Sequence, residues 1–143
     1  MSLRMSREER EAFLADLHVG VLGVTAPDRG PVLVPVWYEY EPGGEIAFIT
    51  AKGSRKAALL EAEGRFTLCV QNEVDPYQYV SVEGPIVSMQ ETVDNRDLRR
   101  IARRYLGKDA GDAYAEESEG AEDVLIRMSP ERWSTVDYGK ESG

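Results

Sequence analysis

The spacing of apolar and polar residues changes several times along the chain, and each change predicts a new element. Ser6 and Glu9 fit the helix-starting pattern Ser-x-x-Glu, and apolar residues follow at helical spacing as far as Leu17. This pattern predicts a short helix that ends near His18. Residues 19–24 are apolar apart from two glycines, which predicts a buried strand.

The segment 32–40 is apolar on both of its alternating faces for most of its length. Such a pattern predicts a strand that is covered on two sides. Pro35 lies in the middle of this strand and has no N–H group to donate to a neighbouring strand. The strand must therefore lie at a sheet edge or be bulged at Pro35. An edge strand with two apolar faces needs a cover, either a ligand or a partner chain.

The rest of the chain predicts a mainly β fold with short helices. Strands are expected over 46–50, 66–71, 79–89 with a bulge at 84–85, 124–128 and 133–136, and helices over 54–60 and 94–106 with a short helical piece around Tyr114. Antiparallel strands of this number remove their edges by closing into a small barrel. We therefore expect one domain over 1–143, a six-stranded antiparallel β-barrel with helical insertions. Residues 1–5 are left outside it as an artificial leader or a disordered end, and 138–143 as a tail.

Charge and composition exclude several classes of partner. The 143 residues include 17 Lys+Arg and 26 Asp+Glu, for a net charge of −9. An acidic surface repels phosphate backbones, so neither nucleic acid nor an anionic membrane is an expected partner. No apolar run approaches the ~18 residues of a membrane-spanning helix, and the first ten residues lack a signal-peptide core. With a single cysteine, Cys69, no disulfide can form within the chain, and we expect a cytoplasmic protein.

His18 is the only histidine, which removes further reaction classes. No zinc motif of the HExxH type can be written, so we predict no metal site. We expect His18 to cap a helix and Cys69 to act as a small buried apolar residue. Glu39 and Glu83 lie among apolar neighbours, and we expect them to face solvent or pair with arginine. The catalytic residues stay unassigned.

A cluster of positive charge lies between the strand at 46–50 and the following helix. Gly53 allows a tight turn, and Ser54 can cap the helix and leave free N–H groups at its positive end. Lys52, Arg55 and Lys56 add three cations at this point of an acidic chain. The cluster predicts an anion site that suits a phosphate monoester. The alternative is a capped helix with solvated basic residues.

The helix expected at 94–106 is rich in arginine, with Arg96, Arg99, Arg100, Arg103 and Arg104. We interpret it as a solvated outer face that pairs with local acids such as Asp94 and Asp97. The alternative is a cationic shelf for an acidic ligand tail. Because few residues can run acid–base or nucleophilic chemistry, an enzyme of this sequence would depend on an organic cofactor, and hydride transfer through a flavin-like ring fits.

Five short motifs, in a fixed order, carry a family resemblance. They are Val-Gly-Val-Leu-Gly-Val at 19–24, Pro-Val-Leu-Val-Pro-Val-Trp-Tyr at 31–38, Thr-Ala-Lys-Gly-Ser-Arg-Lys-Ala at 50–57, Tyr-Val-Ser-Val-Glu-Gly at 79–84 and Pro-Glu-Arg-Trp at 130–133. Together they resemble the pyridoxamine 5′-phosphate oxidase-like proteins, and especially their deazaflavin (coenzyme F420)-dependent branch. The resemblance implies an FMN-binding split barrel. It also implies a homodimer with cofactor sites at the interface and a small-molecule substrate.

The resemblance also implies which residues contact the cofactor. The phosphate would be held by Ser54, Arg55 and Lys56. The ring would be lined by Val34, Pro35 and Val36, with Thr50 and Lys52 nearby. Gln71 would approach the cofactor, and Tyr77 or Trp133 would reach it from the second subunit.

One departure from the family changes the expected substrate. Pyridoxamine 5′-phosphate oxidases carry a C-terminal arginine–histidine pair that handles substrate, whereas this chain has no histidine after His18. Oxidation of vitamin B6 is therefore not the expected activity. The resemblance to the deazaflavin-dependent branch implies F420 as cofactor, or FMN as the alternative, and hydride transfer to a small conjugated or unsaturated acceptor. The rival is a non-catalytic flavin- or haem-binding split-barrel protein, and haem would require His18 as axial ligand. The acidic segment 109–122 is left without a role.

Overall fold

The structure, a computed structural model, describes residues 2–92 and 94–141, and the strands in this part form one antiparallel sheet. The strands are β1 (Gly20–Val24), β2 (Val32–Val36), β3 (Ile46–Ala51), β4 (Arg65–Gln71), β5 (Gln78–Glu91), β6 (Asp123–Met128) and β7 (Arg132–Asp137). The helices are α1 (Arg7–Ala15), α2 (Arg55–Glu63), α3 (Arg96–Leu106) and α4 (Lys108–Glu117), followed by a short 3₁₀ turn, Tyr138–Glu141.

The long strand β5 joins two halves of the sheet. Its first half pairs with β4 on one side and β7 on the other, and its second half pairs with β6. Six strands follow one path in the order β2-β1-β4-β5-β6-β3, and β7 lies off this path. The two ends of the path meet at a single bridge, in which Glu39 and Ala47 exchange backbone hydrogen bonds of 2.9 and 3.0 Å. The predicted six-stranded antiparallel split barrel is confirmed.

The strand that contains Pro35 is shorter than predicted but lies where expected. β2 pairs only with β1, so it is an edge strand and the missing N–H of Pro35 interrupts no second ladder. The strand was expected to run to residue 40, yet it ends at Val36. The reason is that the amide of Tyr38 donates to the hydroxyl of Tyr105, at 3.0 Å, rather than to a strand.

The bulge in β5 lies slightly later than predicted. Pairing with β6 slips between Ile86 and Ser88, not at residues 84–85. Gly84 has a different role: a Cβ at this position would lie 1.9 Å from the carbonyl oxygen of Ser129, so only glycine permits this close approach.

The core fills the inside of the curled sheet and extends to the start of the chain. Leu14, Tyr38 and Phe48 are fully buried in it. Met5 is buried as well, and its amide donates to Thr135 Oγ1 at 3.0 Å. Leaving residues 1–5 outside the fold was therefore wrong for Met5, whose core partners come from distant parts of the sequence.

The acidic segment after α3 forms more helix than predicted. Instead of a short piece around Tyr114, α4 covers ten residues and packs against α3. Gly111 allows this, since a Cβ there would lie 2.6 Å from the backbone of Arg103. Within residues 2–92 and 94–141, no helix combines the length and hydropathy needed to cross a membrane.

Candidate functional site

A groove of about 410 Å³ lies between the sheet and the α3–α4 pair. Its sheet side is formed by the ends of β2 and β3 and the start of β6, and α2 contributes one lysine. The lining residues are Val19, Pro35, Val36, Trp37, Ile49, Thr50, Ala51, Lys56, Leu98, Ile101, Tyr114, Ser118, Ala121 and Asp123. The groove therefore combines apolar residues with several polar groups, and small-molecule sites use both kinds of contact.

Lys56 is the cation of this groove. It is half-buried, and burial lowers the pKa of its ammonium group. In the part of the chain that the structure describes, its Nζ makes neither a hydrogen bond nor an ion pair. A partly desolvated ammonium without a counter-ion favours binding of an anion.

The start of α2 strengthens the positive potential around Lys56. The Oγ of Ser54 accepts from the amide of Ala57, at 3.1 Å, which is a normal N-cap. The amides of Arg55 and Lys56 find no acceptor among the described residues. These two donors and the helix dipole lie beside the lysine that lines the groove.

The other two cations of the predicted cluster have different surroundings. Lys52 forms an ion pair with Glu91, and this contact raises the pKa of the lysine. Arg55 is exposed and is not part of the groove lining. Of the three cations counted in the sequence, only Lys56 lines the groove.

The remaining residues implied by the resemblance fall into two sets. Pro35, Val36 and Thr50 line the groove together with Lys56. The others lie elsewhere in this single chain: Val34 packs on the core, Gln71 and Tyr77 are exposed, and Trp133 lies under the guanidinium of Arg10 at 4.5 Å.

Several lining residues were missed in the sequence, above all Trp37. Its ring stacks on Tyr105, with centroids 5.1 Å apart and planes at 8°, and meets Tyr114 at 5.4 Å. Alternation along the strand places Trp37 on the same face as Pro35, and this signal was available in the sequence. Tyr114 and Ser118 had no such signal, because α4 reaches the groove only through tertiary packing.

Asp123 is the carboxylate of the groove. It is the first residue of β6 and pairs across the sheet with Ala51 of β3. Burial raises the pKa of its carboxyl group. Over residues 2–92 and 94–141, this side chain has neither a hydrogen bond nor an ion pair within 4 Å.

A second, larger cavity of about 1030 Å³ lies along the arginine face of α3. Its arginines already have acidic partners. Arg100 binds Glu39 through two contacts of 2.8 and 2.5 Å, while Arg99 and Arg103 bind Asp112 at 3.0 and 2.6 Å. The interpretation of α3 as a face paired with local acids is confirmed, and its positive charge is largely compensated.

The isolated titratable groups take the structural roles expected of them. The Nε2–H of His18 donates to the carbonyl oxygen of Phe13 at 2.9 Å, and the two rings stack. Glu83 lies 3.7 Å from Arg65, and Cys69 is half-buried in β4, where burial raises its pKa. The prediction of His18 as a helix cap is confirmed.

Comparison with known proteins gives consistent likenesses. The family model described as pyridoxamine 5′-phosphate oxidase matches residues 6–136. An F420H(2)-dependent biliverdin reductase of Mycobacterium tuberculosis is 33% identical over 96 residues, which are 66% of this chain and 68% of the relative. A conserved hypothetical protein of Mycobacterium tuberculosis superimposes with a TM-score of 0.78 at 25% identity, over 99% of this chain and 91% of the other. An F420 reductase superimposes with a TM-score of 0.71 at 21% identity, over 87% and 94% of the two chains.

Proposed function

We propose, from the premise that the chain belongs to the pyridoxamine 5′-phosphate oxidase family, that it is an oxidoreductase with a phosphorylated flavin-type cofactor in the groove. F420 is the proposed cofactor and FMN the alternative. The name of the mycobacterial relative, an F420H(2)-dependent reductase, supports the choice of F420 over FMN. The proposed reaction passes hydride to a small conjugated or unsaturated acceptor.

The observation that carries the proposal is the unpaired ammonium of Lys56 in the groove. A partly buried cation is costly without a compensating charge, and the chain supplies none among its described residues. A phosphate at this position would accept from the Lys56 Nζ and from the free amides of Arg55 and Lys56. The proposed phosphate site is therefore the N-terminal end of α2.

The rest of the groove suits a planar ring. Its volume of about 410 Å³ lies within the ~300–1,000 Å³ of small-molecule sites. Pro35, Val36 and Ile49 form an apolar wall on the sheet, and Leu98 and Ile101 face them from α3. A bound deazaflavin or flavin would supply the hydride, and the chain would position the ring and exclude water from it.

We also propose that the working form is a homodimer, in which the second copy covers the edge strand β2 and completes the cofactor site. Pro35 supports this, since it lines the groove and is exposed at the sheet edge. Gln71 would then approach the cofactor, and Tyr77 or Trp133 would reach it from the second copy, as the resemblance implies. The cytoplasmic location and the absence of nucleic-acid and membrane partners stay predictions of the sequence.

The test is a titration of the apoprotein with F420 and with FMN, followed by cofactor fluorescence. We expect micromolar or tighter binding of F420. Replacing the cation with an apolar chain of similar length, Lys56→Met, removes one charge-assisted contact of about 1.5–3 kcal/mol, or roughly 10- to 150-fold in Kd. Lys140→Met is the matched control, because Lys140 pairs with Glu9 outside the groove. The proposal would be contradicted if the protein bound neither cofactor with micromolar or tighter affinity. It would also be contradicted if Lys56→Met bound the cofactor as tightly as wild type.

Turnover separates the enzyme from a non-catalytic binding protein. The protein and reduced cofactor are mixed with a panel of conjugated acceptors. The first acceptor is biliverdin, which appears in the name of the mycobacterial relative. Tight binding without turnover would keep the site and remove the activity. A haem-binding role receives no support, because His18, the axial ligand that it would need, does not line the groove.

A further inference from the structure

Two titratable side chains of opposite charge type line the groove, a lysine and an aspartate. Lys56 comes from α2, and Asp123 comes from the start of β6. They are not an ion pair, since no Nζ–carboxylate distance between them falls within 4 Å. The carboxyl group of Asp123 also makes no hydrogen bond and no ion pair with any other residue of 2–92 and 94–141. Asp123 therefore has no structural partner in the described part of the chain.

Reduction of a conjugated acceptor needs a proton as well as a hydride. The hydride forms a new C–H bond at one end of the double bond, and the electron pair of that bond moves to the other end. The atom at that end must then take up a proton. The reduced deazaflavin or flavin of the proposed function is the hydride source, so the proton must come from the protein or from water.

We propose, resting on that function, that Asp123 donates this proton to the acceptor bound in the groove. Its O–H bond breaks as the new bond to the acceptor atom forms, and the resulting carboxylate recovers a proton from water. Lys56 and Asp123 thus have different roles in the groove. Lys56 holds the anionic end of the cofactor, and Asp123 serves the reacting end of the acceptor.

The surroundings favour a carboxyl group that keeps its proton. Burial already raises the pKa of Asp123 in the unliganded chain. The groove is also lined by Lys56 of α2, by Tyr114 of α4 and by Ser118, which follows α4, while α3 contributes only apolar residues. Along the strand ends, Glu122 precedes Asp123 in the chain, and the ion pair Lys52–Glu91 joins residues at the ends of β3 and β5.

Cofactor binding should raise this pKa further. Lys56 is the one cation lining the groove in the described residues, and a positive charge favours the ionised carboxylate. A phosphate bound to Lys56 offsets that charge and buries Asp123 more deeply. Both changes favour the protonated form, which is the form that can donate.

The first test needs no turnover. Carboxyl ¹³C NMR of the full chain, with the Asp123 signal assigned by its loss in Asp123→Asn, gives the pKa with and without bound FMN or oxidised F420. We expect a pKa above the usual aspartate value of about 3.9 and a further rise on loading. A pKa at or below the usual value in both states would overturn the proposal.

The second test is the pH profile of turnover. A donor must be protonated, so wild-type kcat should fall as pH rises through the pKa of Asp123. Asp123→Asn keeps the shape of the side chain and should lower kcat about 100-fold or more while leaving the Kd of the cofactor within a few-fold. The variant should also lose the descending limb, and Asp123→Glu should restore it in part.

Glu122→Gln is the matched control, because this neighbouring carboxylate is exposed and does not line the groove. It should keep both kcat and the pH profile. If wild type binds cofactor and turns over while Asp123→Asn keeps its rate and its pH profile, only the role of Asp123 is wrong. If wild type binds neither cofactor, the proposed function itself fails.

Discussion

At the scale of single residues, the end of α1 shows how side chains add to a backbone cap, which here is formed by the amide of Asp16. The final carbonyl groups of a helix have no partners within it. Here the Phe13 carbonyl accepts from His18, the Leu14 carbonyl accepts from the Tyr38 hydroxyl at 2.6 Å, and the Ala15 carbonyl accepts from Arg104 at 3.0 Å. The end of the helix is thus held by side chains from three other parts of the chain.

Removal of the Tyr38 hydroxyl measures how much its hydrogen bond to the Leu14 carbonyl stabilises the protein. This hydroxyl is buried, and burial raises its pKa, so it stays protonated as a donor. Tyr38→Phe leaves the buried Leu14 carbonyl without a partner, and we expect a loss of about 1–3 kcal/mol in the free energy of unfolding. Urea denaturation followed by circular dichroism measures it.

The matched control is Tyr138→Phe, because Tyr138 is exposed and its hydroxyl has no bond to any described residue. Its stability should stay within about 0.5 kcal/mol of wild type. Equal stabilities of the two variants would show that the Tyr38–Leu14 bond contributes little.

The cluster of Lys52, Arg55 and Lys56 shows which features of single residues can be predicted from the sequence and which cannot. The residues 52–56 correctly predicted a strand-to-helix corner with a serine cap, since both features depend on neighbours in the chain. Which lysine stays unpaired could not be predicted. Lys52 is bound by Glu91, which is distant in sequence and becomes a neighbour only after β3, β5 and β6 have formed.

At the scale of elements, α3 and α4 act as one cover over the groove. Asp112 of α4 binds Arg99 and Arg103 of α3, and these contacts hold its pKa well below the usual range. The side-chain amide of Asn95 also donates to the Ala115 carbonyl, at 2.7 Å. The two helices approach each other closely at Gly111, where an added Cβ would lie 2.6 Å from the backbone of Arg103.

The substitution Gly111→Ala tests this close contact, because helix propensity and packing predict changes in stability of opposite sign. Alanine in a helix interior is more stable than glycine by about 1 kcal/mol, so propensity alone predicts that Gly111→Ala stabilises the protein. The added Cβ would lie 2.6 Å from backbone atoms of Arg103, which cannot rotate away. We therefore expect a net destabilisation of about 1–3 kcal/mol, measured by urea denaturation.

Gly30→Ala is the control for Gly111→Ala, because nothing lies within 4 Å of a Cβ at Gly30. It should be neutral or slightly stabilising. A Gly111→Ala variant as stable as wild type would mean that α4 can move away from α3 at little cost. The shape of the groove would then not depend on this contact.

Elements whose pattern is local were predicted well, and α4 shows why others were not. The strands and α3 have apolar residues at a regular period, which is visible in the sequence. In α4, Lys108–Glu117, only Gly111 and Ala115 are buried, so its apolar stripe is too small to detect. Its helix is stabilised by ion pairs and close packing with α3, and the part of the site formed by Tyr114 and Ser118 was missed with it.

At the scale of the whole molecule, the outer face of β1 and β2 is unusually apolar. Val21 is 41% exposed and Leu33 is 66% exposed. Register places Val21 beside Pro35, and Leu33 beside Gly23, on neighbouring strands. Exposed apolar residues on neighbouring strands are typical of interaction surfaces. Because Pro35 also lines the groove, a partner on this face would reach the proposed cofactor site.

The sequence had already suggested that this edge strand needs a cover, and the proposed homodimer supplies one. Sedimentation velocity of the full chain should show a species of twice the chain mass at micromolar concentration. Leu33→Glu would bury an unpaired carboxylate from each copy and should raise the dissociation constant of the dimer roughly 100-fold or more. Val87→Glu is the matched control, since Val87 is 49% exposed and lies in β5, which pairs with neither β1 nor β2. A wild-type monomer, or a Leu33→Glu variant that dimerises like wild type, would show that this face is not the dimer interface, and the edge of the groove at Pro35 would have to be covered by the ligand alone.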